Sequence, residues 1–186
     1  MNTKMESAYY AFASTTRLDN GFSYRVVKHN DREVSNPILA GTVIHDGIYS
    51  EQPVTLASDG SLYWQPCIML YKDCEPVGFL IFALKWGSYF AEYDSPSEEI
   101  VFELSYVFLK PSLRSNSHFS TFMTHVVESL LEDLSTELSH ADVENCTFTF
   151  YAEYASKEGR YIGSSASELI SDFCESNDFD FTEVIN

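Results

Sequence analysis

Apolar and polar positions along the chain keep two different periods. Alternation marks strands. It runs through Phe22 to Lys28 (FSYRVVK), Cys146 to Tyr154 (CTFTFYAEY) and Phe179 to Ile185. Leu62 to Tyr71 (LYWQPCIMLY) and Pro76 to Leu84 (PVGFLIFAL) read as a hairpin joined by a four-residue loop, Lys72 to Glu75. Phe79 to Phe82 and the further strand Ile100 to Leu109 (IVFELSYVFL) are apolar on both faces, which places them centrally in a sheet. The helical period appears in Phe119, Phe122, Met123, Val126, Val127, Leu130, Leu131, Leu134 and Leu138, and predicts a long amphipathic helix. A shorter helix is expected over Ser164 to Ser176, with Ala166, Leu169, Ile170 and Phe173 inward. Asp31 to Tyr49, broken by Pro37, Gly41 and Gly47, suggests short helical turns, and the Ser-, Pro- and acid-rich Trp86 to Glu99 reads as a loop.

The order of elements predicts an α/β fold, a central mixed sheet with helices on its faces. The strands flanking the long helix should be parallel and joined by a right-handed crossover. A single domain is expected over residues 1–186, with residues 1–20 as an N-terminal extension and 21–186 as the core. A composition of 45% hydrophobic and 15% aromatic residues suits a globular chain. Charge narrows the functions open to it. Eleven Lys and Arg against 28 Asp and Glu give a net charge of −17. Such a chain has no counterion-release drive toward nucleic acid and is repelled by anionic lipid, so neither direct nucleic-acid binding nor a membrane surface is expected. No apolar run is long enough to span a bilayer, and Met1 to Thr16 lacks the apolar core of a secretory leader. Cys67, Cys74, Cys146 and Cys174 form no CxxC pair, which fits free thiols and a cytoplasmic location.

The junction between the Ile100–Leu109 strand and the long helix carries the most chemistry. It reads Val107-Phe-Leu-Lys-Pro-Ser-Leu-Arg-Ser-Asn-Ser-His-Phe119. Free amides at a helix N-terminus favour anions. Lys110 and Arg114 are the only Lys or Arg between Lys85 and Lys157, and Ser115, Ser117 and Ser120 add hydroxyls. The competing interpretation is ordinary helix capping with a solvated arginine.

The run Val-x-Leu-x-Pro-x-x-Arg, a small-residue turn and a long amphipathic helix together resemble the GCN5-related N-acetyltransferases. The element order resembles that fold from Phe22 onward, and Phe173-Cys-Glu-Ser-Asn-Asp-Phe179 stands where the family has an aromatic-Tyr-Glu-Lys-x-Gly-Phe segment. The resemblance implies an acyl-CoA N-acyltransferase-like fold and acetyl-CoA as the cosubstrate. It implies that Val107, Phe108 and Leu109 pair with the pantetheine arm. Arg114 and the amides of Ser115, Asn116, Ser117, His118, Phe119 and Ser120 would hold the pyrophosphate. Three positions depart from the family pattern. Phe119 replaces a small residue, although helical periodicity turns it inward and leaves the loop open. The family's acidic tyrosine and its Gly fall on Cys174 and Asp178.

Acetyl transfer to an amine also needs a base. Glu103, an acid inside an apolar run, is the candidate, expected to be buried and to lie on the strand face opposite Leu104 and Tyr106. Tyr106 and Tyr154 are alternative proton carriers. His118 and His125 are seven apart, but no further ligands accompany them, so no metal site is expected. From Glu128 to Asn186 there are 14 acids against Lys157 and Arg160. Three readings stay open: a solvated surface, steering of a cationic amine substrate or basic protein, and mimicry of nucleic acid by a non-catalytic protein. A homodimer is also open.

Overall fold

The sheet is built around Glu75–Phe90, in which Val77 and Phe79 to Leu84 are buried on both faces. The computed structural model describes residues 15–27, 55–56, 62–90, 96–114, 117–140, 145–154 and 157–185. In chain order they form β1 (Thr16–Arg17), β2 (Phe22–Val26), β3 (Thr55–Leu56), β4 (Leu62–Trp64), β5 (Cys67–Lys72), β6 (Glu75–Phe90) and β7 (Pro96–Leu109). A 3-10 turn (Pro111–Leu113), α1 (His118–His140), β8 (Cys146–Ala152), α2 (Lys157–Asn177) and β9 (Asp180–Ile185) complete the order. The turns expected over Asp31 to Tyr49 lie outside the described residues, as do Ser115 and Asn116.

The nine strands make one mixed sheet in the order β1-β2-β5-β6-β7-β8-β9, with β4 also on β6 and β3 on β4. Pairing is antiparallel as far as β7, then parallel from β7 to β8 and from β8 to β9. The two strands that flank the long helix are thus parallel, and the fold is α/β as expected. β1 draws two residues of the expected N-terminal extension into the sheet.

Both described helices pack on one face. α1 buries its periodic stripe from Phe119 to Leu138, and α2 buries Ala166, Ile170 and Cys174, against Leu80, Phe82, Leu84, Ile100, Phe102, Phe148 and Phe150 of the sheet. The other face holds a smaller cluster of Val27, Cys67, Met69, Tyr71, Phe79 and Ile81.

Four elements differ from the sequence expectation. The strand Leu62–Tyr71 is interrupted at Gln65 and Pro66, although Trp64↔Leu84 and Cys67↔Ile81 keep one register against β6. Pro66 has no N–H to give the ladder. The hairpin loop has two residues instead of four: Asp73 (φ 50) and Cys74 (φ 69) take the left-handed conformations of a tight turn, and Lys72 pairs with Glu75. The segment Trp86 to Glu99 is largely a paired ribbon, with Trp86↔Ile100 and Ser88↔Glu98 in register. Trp86 is buried and donates its indole N–H to Glu98, so tertiary partners override a loop-like composition. Finally, α2 begins at Lys157, taking in Gly159 and Gly163. It ends where Asp178 (φ 58) takes the left-handed position and the Phe179 N–H reaches Cys174 O.

Candidate functional site

Two strands that run side by side and then part create the site. β7 pairs with β8 from Glu98↔Cys146 to Leu104↔Ala152, and the pairing stops there. Among the described residues β7 continues to Leu109 paired with β6 alone, so no strand lies along its other edge over the last five residues, where Arg114 Nε meets Leu109 O. The register against β6 shifts at the same level. Phe82 pairs with Leu104 but Ile81 pairs with Tyr106, leaving Ser105 as a bulge. A bulge bends its strand and adds twist, which accounts for the divergence at this level.

The bulge also changes which side chains share a face. Ile100, Phe102 and Leu104 join the helix-side core, and beyond the bulge Val107 and Leu109 do so too. Glu103 therefore lies opposite Leu104, as expected, but on the same face as Tyr106, because directly paired residues share a face and Ala83↔Glu103 and Ile81↔Tyr106 flank the shift. Counting by twos across Ser105 gives the wrong side.

A cavity of about 530 Å³ opens between the diverging arms. β7 lines it from Glu103 to Val107, the other arm with Tyr151, Glu153 and Tyr154, α2 with Gly159, and the β4–β5 junction with Gln65. Its size is that of an ordinary small-molecule pocket. Glu103 is exposed, not buried as expected. Its carboxylate lies near Tyr63, whose phenol is raised above the usual tyrosine range by burial first and by Glu103 second. Glu103, Tyr106 and Val107 are thus brought together at the cavity.

Phe108 and Leu109 supply backbone to the open edge but not side chains to the cavity. Phe108 stacks on Phe79 with ring centroids 5.5 Å apart, and Leu109 is buried in the main core. Arg114 is exposed, with its Nε donating to Leu109 O at 2.9 Å. That bond ties the guanidinium to the end of β7, while Lys110 N donates to Val77 O. Ser117 opens α1, its carbonyl accepting the Thr121 N–H. His118 packs on Phe22 with ring centroids 4.6 Å apart and the rings tilted by 34°, Phe119 is buried against Phe122, and Ser120 is half-buried in the first turn. The inward turn of Phe119 removes the bulk that would otherwise obstruct an anion at the helix start.

Cys174 is not brought to the cavity. It is 1% exposed inside the main core, and burial pushes its thiol up to about 12. All four cysteines are free, and only Cys74 is exposed. Among the described residues no group of three or more His, Cys, Asp or Glu could hold a metal ion. No described helix is long and apolar enough to cross a membrane. The acidic surplus includes Glu128 and Glu132 on α1 and Glu168, Asp172 and Glu175 on α2, all exposed.

Sequence reasoning missed Ser105, Glu153, Gln65 and Gly159. Glu153 was read as part of a strand extending to Tyr154, whereas β8 ends at Ala152. Two hydroxyls at the cavity, Ser105 Oγ and Tyr154 Oη, are buried without a hydrogen-bond partner.

The chain matches no known family and no curated protein. Among solved structures it is similar to a ribosomal-protein-alanine N-acetyltransferase from Brucella melitensis biovar Abortus 2308. That match has 11% identity and a TM-score of 0.39, covering 77% of this chain and 89% of that one. It is also similar to a transcriptional regulator from Bacillus halodurans C-125, with 12% identity and a TM-score of 0.33, covering 84% and 91%. A third similar structure is an aminoglycoside acetyltransferase from an uncultured soil metagenomic sample, with 12% identity and a TM-score of 0.28, covering 87% and 90%.

Proposed function

We propose that the protein is an N-acetyltransferase that moves the acetyl group of acetyl-CoA to a primary amine on a cationic acceptor. The observation that carries this reading is the parting of β7 from β8 after Leu104↔Ala152, which leaves an unpaired strand edge along a cavity of about 530 Å³. A pantetheine arm carries amides of its own and can complete such an edge, as an added strand does. Arg114 and the free amides at the start of α1 stand at the far end of the same strand, where a pyrophosphate would lie. The acetyl group is then directed to the point where the strands part.

The acceptor enters from the acidic side. Glu103 and Glu153 both line the cavity and are exposed, so they attract an ammonium group from solvent. Glu103 takes the ammonium proton, directly or through one water, and the neutral nitrogen attacks the thioester carbon. The free thiols and acidic charge fit a protein of the cytoplasm.

Calorimetry with acetyl-CoA tests the reading. Binding is expected, and Arg114→Glu should weaken it roughly tenfold at low salt, less at high salt, because the guanidinium is exposed and its attraction is screened. No binding at millimolar acetyl-CoA sinks the reading, and binding that Arg114→Glu leaves unchanged refutes the pyrophosphate assignment.

A further inference from the structure

β7, β8 and β9 pair in parallel, and a parallel sheet is ordinarily covered on both faces. Here both described helices lie on one face, and the register shows what stands on the other. Three rows cross it: Glu99↔Thr147↔Asp180, Val101↔Thr149↔Thr182 and Glu103↔Tyr151↔Val184. Directly paired residues share a face, and none of these side chains is buried. β8 shows the asymmetry in its own sequence. Phe148 and Phe150 are buried under the helices, and Thr147, Thr149 and Tyr151 alternate with them, half-buried on the open side. A strand covered on both faces reads apolar throughout, as Phe79 to Leu84 do. The third row runs into the cleft, where Glu103 and Tyr151 line the cavity.

Charge selects what covers this face. Glu99, Glu103 and Asp180 are exposed on it, and Lys85 is the only Lys or Arg in β6, β7, β8 or β9. A second copy of a chain with net charge −17 is repelled from such a surface, and a cationic partner is attracted. The floor between the acids is polar. The hydroxyls of Thr147, Thr149 and Thr182 both donate and accept, which suits the N–H and C=O groups of an extended backbone. Glu99 and Glu103 stand about 13 Å apart along β7, the distance between side chains i and i+4 of an extended chain lying beside them. We propose that the open face of β7, β8 and β9 docks an extended polypeptide segment carrying Lys or Arg at positions i and i+4, with one end at the cleft. The docking needs no acetyl-CoA, so it stands or falls apart from the acetyltransferase reading.

The probe is a short peptide of Thr and Gln, blocked at both ends, with Lys at positions i and i+4, titrated by calorimetry without acetyl-CoA. Binding at low salt is expected and should weaken as salt rises. Thr149→Lys, at the centre of the face, and Asp180→Lys, at the end away from the cleft, should each weaken it about tenfold. Glu175→Lys is the control. It changes the net charge as Asp180→Lys does, from an exposed position on α2, and should alter the affinity less than about twofold. Amide resonances of Thr147, Thr149 and Thr182 should shift on titration of the wild type, a measurement that needs no variant to fold. Equal losses in Asp180→Lys and Glu175→Lys mean that bulk charge alone attracts the peptide, and overturn the proposal. Spermine carries the charge without the backbone, so spermine binding as tight as that of the peptide also overturns it. Absence of peptide binding, or shifts confined to other strands, does the same and leaves the acetyltransferase reading untouched.

Discussion

Gly163→Ala asks whether the Tyr154 ring can leave its place against Gly163 of α2. The added Cβ would overlap the phenol oxygen and two ring carbons, all at the far end of a single side chain. The ring must move, and the energetic terms have opposite signs. Alanine in place of glycine inside α2 favours the helix by about 1 kcal/mol. Displacing the ring gives up part of its burial. Full burial of a side chain this large is worth about 1.5–3 kcal/mol, and Tyr154 is only half-buried, so the loss falls below that. Release of a buried, unpaired hydroxyl to water recovers about 1–3 kcal/mol. The gains match or exceed the loss, and in urea the variant should be as stable as the wild type or more stable by up to about 2 kcal/mol. A phenol held in place would instead show the overpacking penalty of about 1–3 kcal/mol or more. Alkaline pH supplies a second measure. The folded protein holds the Tyr154 phenol above its ordinary value of 10.0, whereas the unfolded chain ionises at that value. The stability this contributes is present below the ordinary value and is lost as the pH rises through the folded one. Gly163→Ala should lose less stability on this limb. A variant destabilised by more than about 2 kcal/mol, with an unchanged alkaline limb, refutes the idea of a ring that can leave.

Two further outcomes are expected. In the folded protein a thiol reagent at neutral pH should label Cys74 alone, and Cys174→Ala should lower stability by about 1–2 kcal/mol without changing CoA binding, because Cys174 is buried in the core and Cys74 is exposed. Labelling of Cys174 at a rate like that of Cys74 contradicts the packing. Cys74→Gly and Asp178→Gly should each raise the urea midpoint, by about 1 kcal/mol of stability, since both residues hold positive φ (69 and 58) where glycine carries no Cβ penalty. A fall at either position means that its side chain contributes more than its backbone strain costs.

How much of this was legible in the sequence follows from which rules are local. The stripe from Phe119 to Leu138 and the two-sided apolar run Phe79 to Phe82 announced α1 and the central strand, because burial sets both patterns. The inward turn of Phe119 was legible for the same reason. Asp178 stood at a position where the resemblance calls for glycine, and it takes the left-handed conformation that glycine would. The ribbon from Trp86 to Glu99 was hidden because pairing with a distant stretch of chain, not composition, makes it a strand. The Ser105 bulge was hidden more deeply. A bulge inserts one residue without changing the apolar character of its strand, so IVFELSYVFL reads the same with or without it. The error was confined to Glu103 and Tyr106, the two side chains whose relative placement mattered most.

Several departures from regular structure gather at one place. Ser105 breaks the β6–β7 register, Glu153 and Tyr154 leave the sheet where an alternating sequence would have continued it, and Gly159 and Gly163 sit inside a helix that would be stronger without them. All but Gly163 line the cavity between the arms, and Gly163 makes room for a side chain that does. Sequences ordinarily agree with their folds at every local level, and concentrated disagreement marks a place held for something other than stability. The same concentration distinguishes the cavity from the acidic surface of α1 and α2. Glu128, Glu132, Glu168, Asp172 and Glu175 occupy exposed helical positions at which any charged residue is accommodated and no backbone rule is broken. That difference separates the cleft from the helix surface, and in the proposed function the bulk of the −17 charge is the field through which a cationic acceptor would approach the cleft.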